Sequence, residues 1–426
     1  MSVSETIEIP DFCMVLMIGP EGAGKSAFAG KHFTREEILA LDDFAPDPNR
    51  LLGRELGLDK MQEIAAERMA SRQLTVIDAT NIHAKERARF ITIARRHYAK
   101  TVGFAFDFDA EIYERRANRR RFDREGVLGQ IDGLRRILSS LQGPRSIQQL
   151  CVFRSPEEVD AVKAIVRIRL NVDRRDEAGP FDIIGDIHGC AGELEALLAK
   201  LGYDINWTGE PGHRSYEVTA PIGRRVIFLG DLVDRGPRSP DVLRLVKSMM
   251  DAGNAFCVIG NHEFRLQRKL SGQPMRVSHG LKETLDQLRT QPKGFSNEME
   301  AFFKELPSHL VLDGGDLVVA HAGLKQEMHN RKSGKVRSFA MYGDTSGKTD
   351  AFGFPVRRDW AAKYSGESAV VYGHTPVAEA RWINNTICLD TGCVYGERLT
   401  ALRWPERELV DVPAEQEWFA KTQPIV

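Results

Sequence analysis

Five stretches between residues 181 and 375 share one design. FDIIGD, RRVIFLGD, AFCVIGN, DLVVAHAG and AVVYGHT each run apolar for several residues and then turn polar. A short continuous apolar run that ends in this way reads as a buried strand. Five such strands with polar C-terminal ends imply a sheet that carries a single site along one edge. The residues delivered there are Asp186 and His188, then Asp231, Asn261, His321 and His374.

Carboxylate, imidazole and amide oxygen together suit a pair of borderline divalent metals such as Mn²⁺, Fe, Ni²⁺ or Zn²⁺. Asp231 can bridge the pair if it lies between the other donors. Two metals roughly 3.5–4 Å apart activate a water and clamp a leaving oxygen. Arg235 follows Asp231 at a distance that lets a guanidinium grip a phosphate. His262, next to Asn261, is placed to be the general acid for the leaving group. Asp390, in CLDTGC, ends one more apolar strand. It either supports a metal-ligating His from behind or is structural. His32, His83, His97, His213, His309 and His329 lie outside such frames and read as surface or packing residues. His279, in SHGL, is the exception that can lie beside the pocket.

The N-terminal part carries a different chemistry. CMVLMIG reads as a buried parallel strand and runs into GPEGAGKS, which satisfies GxxxxGK[ST]. Gly19, Gly22 and Gly24 let backbone N–H groups turn toward phosphate oxygens. Lys25 reaches the β- and γ-phosphates of ATP, and the Ser26 hydroxyl binds Mg²⁺. A helix begins at Lys25. Strand-like ILAL (38–41), a helix over about 59–69, the strand TVIDAT (75–80), a helix over 84–97 and the strand TVGFAFDF (101–108) follow. LCVFRS (150–155) and a helix over 156–164 complete a parallel α/β pattern. Asp42 and Asp43 lie where an acceptor hydroxyl would sit, and a carboxylate there can take its proton; the plainer reading is a helix N-cap or an acidic turn. Asp78 is placed to organise Mg²⁺, and Asn81 to cap the next helix. YERRANRRRFDR (113–124) is either a solvated charged helix or a lid over ATP. Arg121 and Arg124, three apart, are the lid candidates.

A length of 426 residues suggests two or three domains. The charged stretch NVDRRDEAGP (171–180) ends in Gly-Pro and reads as a linker. It separates residues 1–170 from 181–412, and 413–426 reads as a short tail. The apolar and charged fractions, 42% and 28%, are those of a globular protein. A net charge of −1 gives no global pull toward nucleic acid or acidic membrane. Six cysteines without a CxxC pair read as buried reduced thiols. The acidic N-terminus lacks a basic n-region, and the apolar run Phe12–Ile18 is too short to span a bilayer. The expectation is a cytoplasmic protein with no membrane partner.

On GPEGAGKS, VIDATN, FRSPEEV, DRRDEAGPFDIIGDIHGC, GDLVDRGP, GNHE, VVAHAGL, YGHTPV and DTGCVYG, the chain resembles bacterial polynucleotide kinase-phosphatase from about Cys13 to Glu406. The resemblance implies a P-loop kinase-type parallel α/β sheet followed by an α/β metallophosphoesterase sandwich. It implies a kinase that moves the ATP γ-phosphate to a 5′-OH of RNA or DNA, with Asp42 as general base. It implies a phosphatase acting on 2′,3′-cyclic, 2′- or 3′-phosphate ends with two metals, Mn²⁺ or Ni²⁺, on the six donors above. Arg235 and His262 would bind phosphate and help the leaving group, and Asp390 matches a functional aspartate. No KxDG motif is found, so a separate ligase would seal the healed ends. The acceptor loop reads ALDDFAPD, without the family's arginine, which implies an altered acceptor pocket. GDIHG, GDLVDRG and GNHE are also shared with metal-dependent protein phosphatases and dinucleotide polyphosphate hydrolases. In that reading the N-terminal module regulates or phosphorylates a small molecule. A non-catalytic ATP-dependent scaffold is the third reading.

Overall fold

The computed structural model describes residues 4–45, 51–117, 124–349 and 355–421. It divides into two compact units, Met1–Leu170 with Arg331–Ser333, and Asn171–Asn330 with Gly334–Val426.

In the first unit, Cys13–Ile18 is buried throughout and forms the centre of a five-stranded parallel sheet. The strand order is Ile38–Ala40, Thr75–Asp78, Cys13–Ile18, Lys100–Phe106, Gln149–Phe153. Both sheet faces are covered, which is why these strands read as unbroken apolar runs rather than alternating ones. The helix expected over 59–69 starts two turns earlier and spans Leu51–Ala70. Gly53 and Gly57 weaken the helical signal there. Gly57 is used for contact: a Cβ on it would lie 2.9 Å from Ala45 Cβ and Leu41 Cδ1. The helix expected over 156–164 ends at Ala161. The β-favouring residues after it form the strand Ala164–Ile168, paired in parallel with Thr6–Pro10.

The second unit is a sandwich of two sheets. One has the order Ala255–Cys257, Arg225–Phe228, Phe181–Ile184, Arg398–Trp404, Glu408–Pro413. The other has the order Trp382–Ile383, Thr386–Cys388, Ala369–Tyr372, Leu317–Ala320, His309–Leu312, Asp173–Arg174. Phe181, Ile183, Ile227, Leu310, Leu317 and Val371 fill the layer between them. The helices Ala191–Leu201 and Ser239–Asp251 cover the outer face of the first sheet. The five polar-ended strands therefore do not share one sheet as expected. Three lie in the first sheet and two in the second.

Two segments do more than connect. Within the stretch read as a linker, Asp173–Arg174 pairs in parallel with Val311–Leu312 as an edge strand. The stretch read as a tail folds back so that Trp418 N and Phe419 N donate to Val394 O at 3.1 and 3.0 Å. Among the described residues, no helix is long and apolar enough to cross a membrane.

Candidate functional site

The strand ends of the second unit converge. His321 Nδ1 lies 2.9 Å from Leu229 O, which can only accept, so that nitrogen carries the ring proton. His321 Nε2 then presents a lone pair. It points at Asn261 Oδ1 (2.9 Å) and Asp231 Oδ1 (3.3 Å), with His374 Nδ1 at 3.0 Å. Burial pushes the His321 imidazole down to about 3, so protonation does not relieve this crowding of acceptors. His188 repeats the arrangement: Nδ1 donates to Val233 O at 2.9 Å, and Nε2 faces Asp231 Oδ2 at 3.5 Å. Asp231 thus turns one oxygen to each histidine cluster, as a bridging carboxylate requires. Asp186 Oδ2 accepts from His374 N at 3.0 Å. Asp186 Oδ1 and His374 Nε2 are buried without a hydrogen-bond partner. Burial, with Asp390 and Asp231 close by, raises the Asp186 carboxyl well above its ordinary value. Converging lone pairs, crowded carboxylates and orphaned buried donor atoms fit a pair of divalent cations.

The backbone is strained where these side chains leave it. His188, Asp231, Asp234, Arg235 and His374 have φ of 47°, 49°, 75°, 72° and 74°. Side-chain residues rarely occupy this region, and such strain concentrates at functional sites.

Arg235 Nη1 donates to His188 Nε2 at 2.6 Å, and Nη2 to His262 Nε2 at 3.2 Å. His262 Nδ1 donates to Asp234 Oδ2 at 2.6 Å. Burial, with Arg235 and Arg265 nearby, holds the His262 imidazolium form well down. His279 does lie beside the pocket: Gly280 after it packs so closely that a Cβ would sit 2.4 Å from Arg235 N. Asp390 is buried and pushed up to about 6 by burial. Its hydrogen bond comes from Gly392 N at 3.1 Å, and Asp186, Asp231, Arg235 and Arg357 are near enough for their charges to act on it.

Several residues of this site were not singled out from the sequence. Asp234 orients His262 and is itself held by Thr284 Oγ1, which donates to Asp234 Oδ1 at 2.7 Å. Glu263 accepts from the backbone N–H of Asp231, Leu232 and Gly260 at 2.8, 2.7 and 3.0 Å, tying two strand-end loops together. Both acids stand inside the quoted GDLVDRG and GNHE. Arg357 lies close enough to Asp231, Asp390 and Asp186 to feel their charges, and no motif marks it.

In the first unit the loop from Gly19 to Gly24 leads into the helix Lys25–His32. Gly22 and Gly24 have φ of 76° and 93°, so glycine is required at both. Lys25 Nζ donates to Pro20 O at 2.8 Å, and burial pushes its ammonium down to about 8. The Ser26 hydroxyl bonds Asp78, whose carboxyl is raised by burial. Asp42, in the short helix Leu41–Phe44, is near enough to act on both Lys25 and Asp78. The N-cap of that helix is Ala40, so neither aspartate caps it. Asp43 is paired with Arg35 at 2.7 Å. Asn81 does not cap the next helix, whose N-cap is His83. It is buried with φ 49°, and its Nδ2 donates to Met17 O at 2.7 Å. Arg121 lies outside the described residues, and Arg124 opens the helix Arg124–Ile137. From that helix Gln130 Oε1 accepts from Glu21 N in the glycine loop at 2.8 Å, a contact no sequence signal indicated.

Comparison with known proteins agrees with this division. A family model described as calcineurin-like phosphoesterase matches residues 179–378, and one described as AAA domain matches residues 14–141. The chain is 44% identical over 238 residues to the asymmetrical bis(5′-nucleosyl)-tetraphosphatase PrpE of Bacillus subtilis strain 168, covering 55% of this chain and 94% of that protein. It is 42% identical over 245 residues to the protein of that name from Oceanobacillus iheyensis, covering 57% and 95%. A solved protein serine/threonine phosphatase from Saccharomyces cerevisiae is 15% identical with a TM-score of 0.41, over 59% of this chain and 84% of that one. Through its second unit, behind a P-loop unit matched by the AAA-domain model, the chain belongs to the calcineurin-like phosphoesterase family.

Proposed function

We propose that the chain heals nucleic-acid ends, adding phosphate at a 5′-OH with its first unit and removing 3′-side phosphate with its second. The observation that carries this reading is Asp42: its carboxylate, in addition to Asp78 and Glu21, lies near enough to the P-loop lysine to act on its charge, in a chain that also holds a phosphoesterase domain. A regulatory nucleotide switch needs no such group, whereas a kinase needs a base at the acceptor hydroxyl. In the first unit, Lys25 and the glycine-loop N–H groups hold the ATP phosphates, and Ser26 and Asp78 would hold Mg²⁺. Asp42 takes the proton of the acceptor hydroxyl as its oxygen attacks the γ-phosphorus and ADP leaves. In the second unit, Asp186, His188, Asp231, Asn261, His321 and His374 would hold two divalent cations, Mn²⁺ or Ni²⁺. Bound there, the cations would polarise the phosphoryl group and lower the pKa of an attacking water. Arg235 grips the phosphate. His262, its Nδ1 fixed by Asp234, turns Nε2 to the leaving oxygen and delivers a proton there. A phosphate dianion brought to Arg235 offsets the positive field that otherwise disfavours the imidazolium.

A second reading is asymmetrical hydrolysis of dinucleoside tetraphosphates, favoured by the name of the relatives 44% identical to the second unit. One assay separates the two. Wild-type protein is given γ-labelled ATP with 5′-OH RNA and DNA, and in parallel 3′-phosphate and 2′,3′-cyclic phosphate ends, diadenosine tetraphosphate and a phosphoserine peptide, each with Mg²⁺, Mn²⁺ and Ni²⁺. End healing predicts label on the oligonucleotide and faster release from the nucleic-acid ends. No transfer under any metal, with diadenosine tetraphosphate turned over fastest, would replace the first reading with the second.

A further inference from the structure

We propose that residues 414–421 form a positioning strap for Arg235, which sets Phe419 of the strap beside Tyr395 of the loop 394–397 against the guanidinium. The inference rests on the phosphoesterase reading of the second unit. Arg235 is held in an unusual way. Its polar partners among the described residues are the imidazoles of His188 and His262, not carboxylates. Its guanidinium carbon lies 5.5 Å from the Tyr395 ring centroid and 6.0 Å from that of Phe419. A carboxylate partner would orient the guanidinium but neutralise the charge that a phosphate must find. Aromatic faces hold a cation through the ring quadrupole and leave its charge available.

The strap is itself fixed. Glu193, buried on the helix Ala191–Leu201, accepts with Oε1 from Trp418 Nε1 at 2.7 Å and from Glu415 N at 3.1 Å. Val394 O takes the N–H groups of Trp418 and Phe419, and Glu397 O takes that of Ala414 at 2.8 Å. Glu417 bridges to Tyr395. Lys421 Nζ donates to Glu397 Oε1 at 2.6 Å. The segment carrying Phe419 is therefore tied to the loop 394–397 that carries Tyr395, and both rings meet Arg235 together. The rings add to the two imidazole contacts in narrowing the rotamers of Arg235 and hold it ready for the phosphate. Phe419 and Tyr395 act through Arg235 and are positioning residues.

The test uses full-length Mn²⁺-loaded protein with 4-nitrophenyl phosphate as substrate and inorganic phosphate as competitive ligand. Phe419→Ala and Phe419→Leu are compared with Phe419→Trp. We expect KM and the phosphate inhibition constant each to rise about three- to tenfold in the Ala and Leu variants, with kcat within about twofold, and the Trp variant to recover wild-type values. Leu fills the space without a ring, so it separates packing from the cation–aromatic contact even if the Ala variant fails to fold. Wild-type KM and phosphate inhibition in Phe419→Leu would overturn the proposal, and so would a Leu variant as good as Trp. A wild-type protein that hydrolyses no phosphate ester with any of the metals would instead remove the phosphoesterase reading, and this inference with it.

Discussion

Asp234 and His262 meet at 2.6 Å inside a buried pocket, where the imidazole Nδ1 donates to the carboxylate. Burial pushes the Asp234 carboxyl up to about 7 while it pushes the imidazolium form of His262 down. The carboxylate fixes the ring so that Nε2, not Nδ1, faces the reacting phosphate. Asp234→Asn keeps the shape but loses the acceptor charge. It is expected to lower the hydrolysis rate about 10- to 100-fold, with bound metal, read by elemental analysis, unchanged. Loss of metal together with activity would show a ligand-supporting role instead. Residues of this kind mark the limit of sequence reading. Asp186, His188, Asp231, Asn261, His321 and His374 were legible because each ends an apolar strand, and chemistry at strand ends follows from the pattern alone. Asp234 and Glu263 stood in the same quoted frames, but their roles depend on a left-handed backbone and on N–H groups brought in by the fold. Thr284, on a separate helix, carried no signal at all.

At the scale of elements, the charged stretch before Phe181 changes meaning. Burial alone would raise the Asp173 carboxyl, yet the Arg175 guanidinium, bonding both its oxygens at 2.9 Å, and the Asn330 amide at 2.5 Å hold it well below the carboxylate range. The pair stitches a two-residue edge strand onto the six-stranded sheet. A carboxyl depressed in the folded state stabilises above its unfolded value near 4, and that contribution is lost as pH falls through the depressed folded value. Asp173→Ala is therefore expected to cost about 1–3 kcal/mol at pH 7. The gap to wild type should narrow progressively below about pH 4, read from urea midpoints of the second unit. A pH-independent gap would mean that packing, not the charge, holds the strand. Charge and a Gly-Pro end signal exposed chain, and they are silent on a carboxylate that finds its partners across the fold. The same holds for Ala164–Ile168, whose partner strand lies at the far end of its unit's sequence.

At the scale of the molecule, one chain carries GPEGAGKS in its first unit and the five strand ends in its second. The α/β class of both units was legible, because buried parallel strands carry a strong local pattern. The split of the five strands between two sheets was not, because sheet partnership is set by tertiary contact. Substrate identity lies one level further on, in the acceptor loop around Asp42. If the two sites perform separate reactions, variants that each remove one site separate those reactions. Wild type, Lys25→Ala and Asp231→Asn are assayed side by side for label transfer from γ-labelled ATP to a 5′-OH oligonucleotide and for phosphate release from a 3′-phosphate oligonucleotide. Lys25→Ala is expected to abolish transfer and keep release, and Asp231→Asn to abolish release and keep transfer. Transfer that survives Lys25→Ala, or release that survives Asp231→Asn, would contradict that expectation.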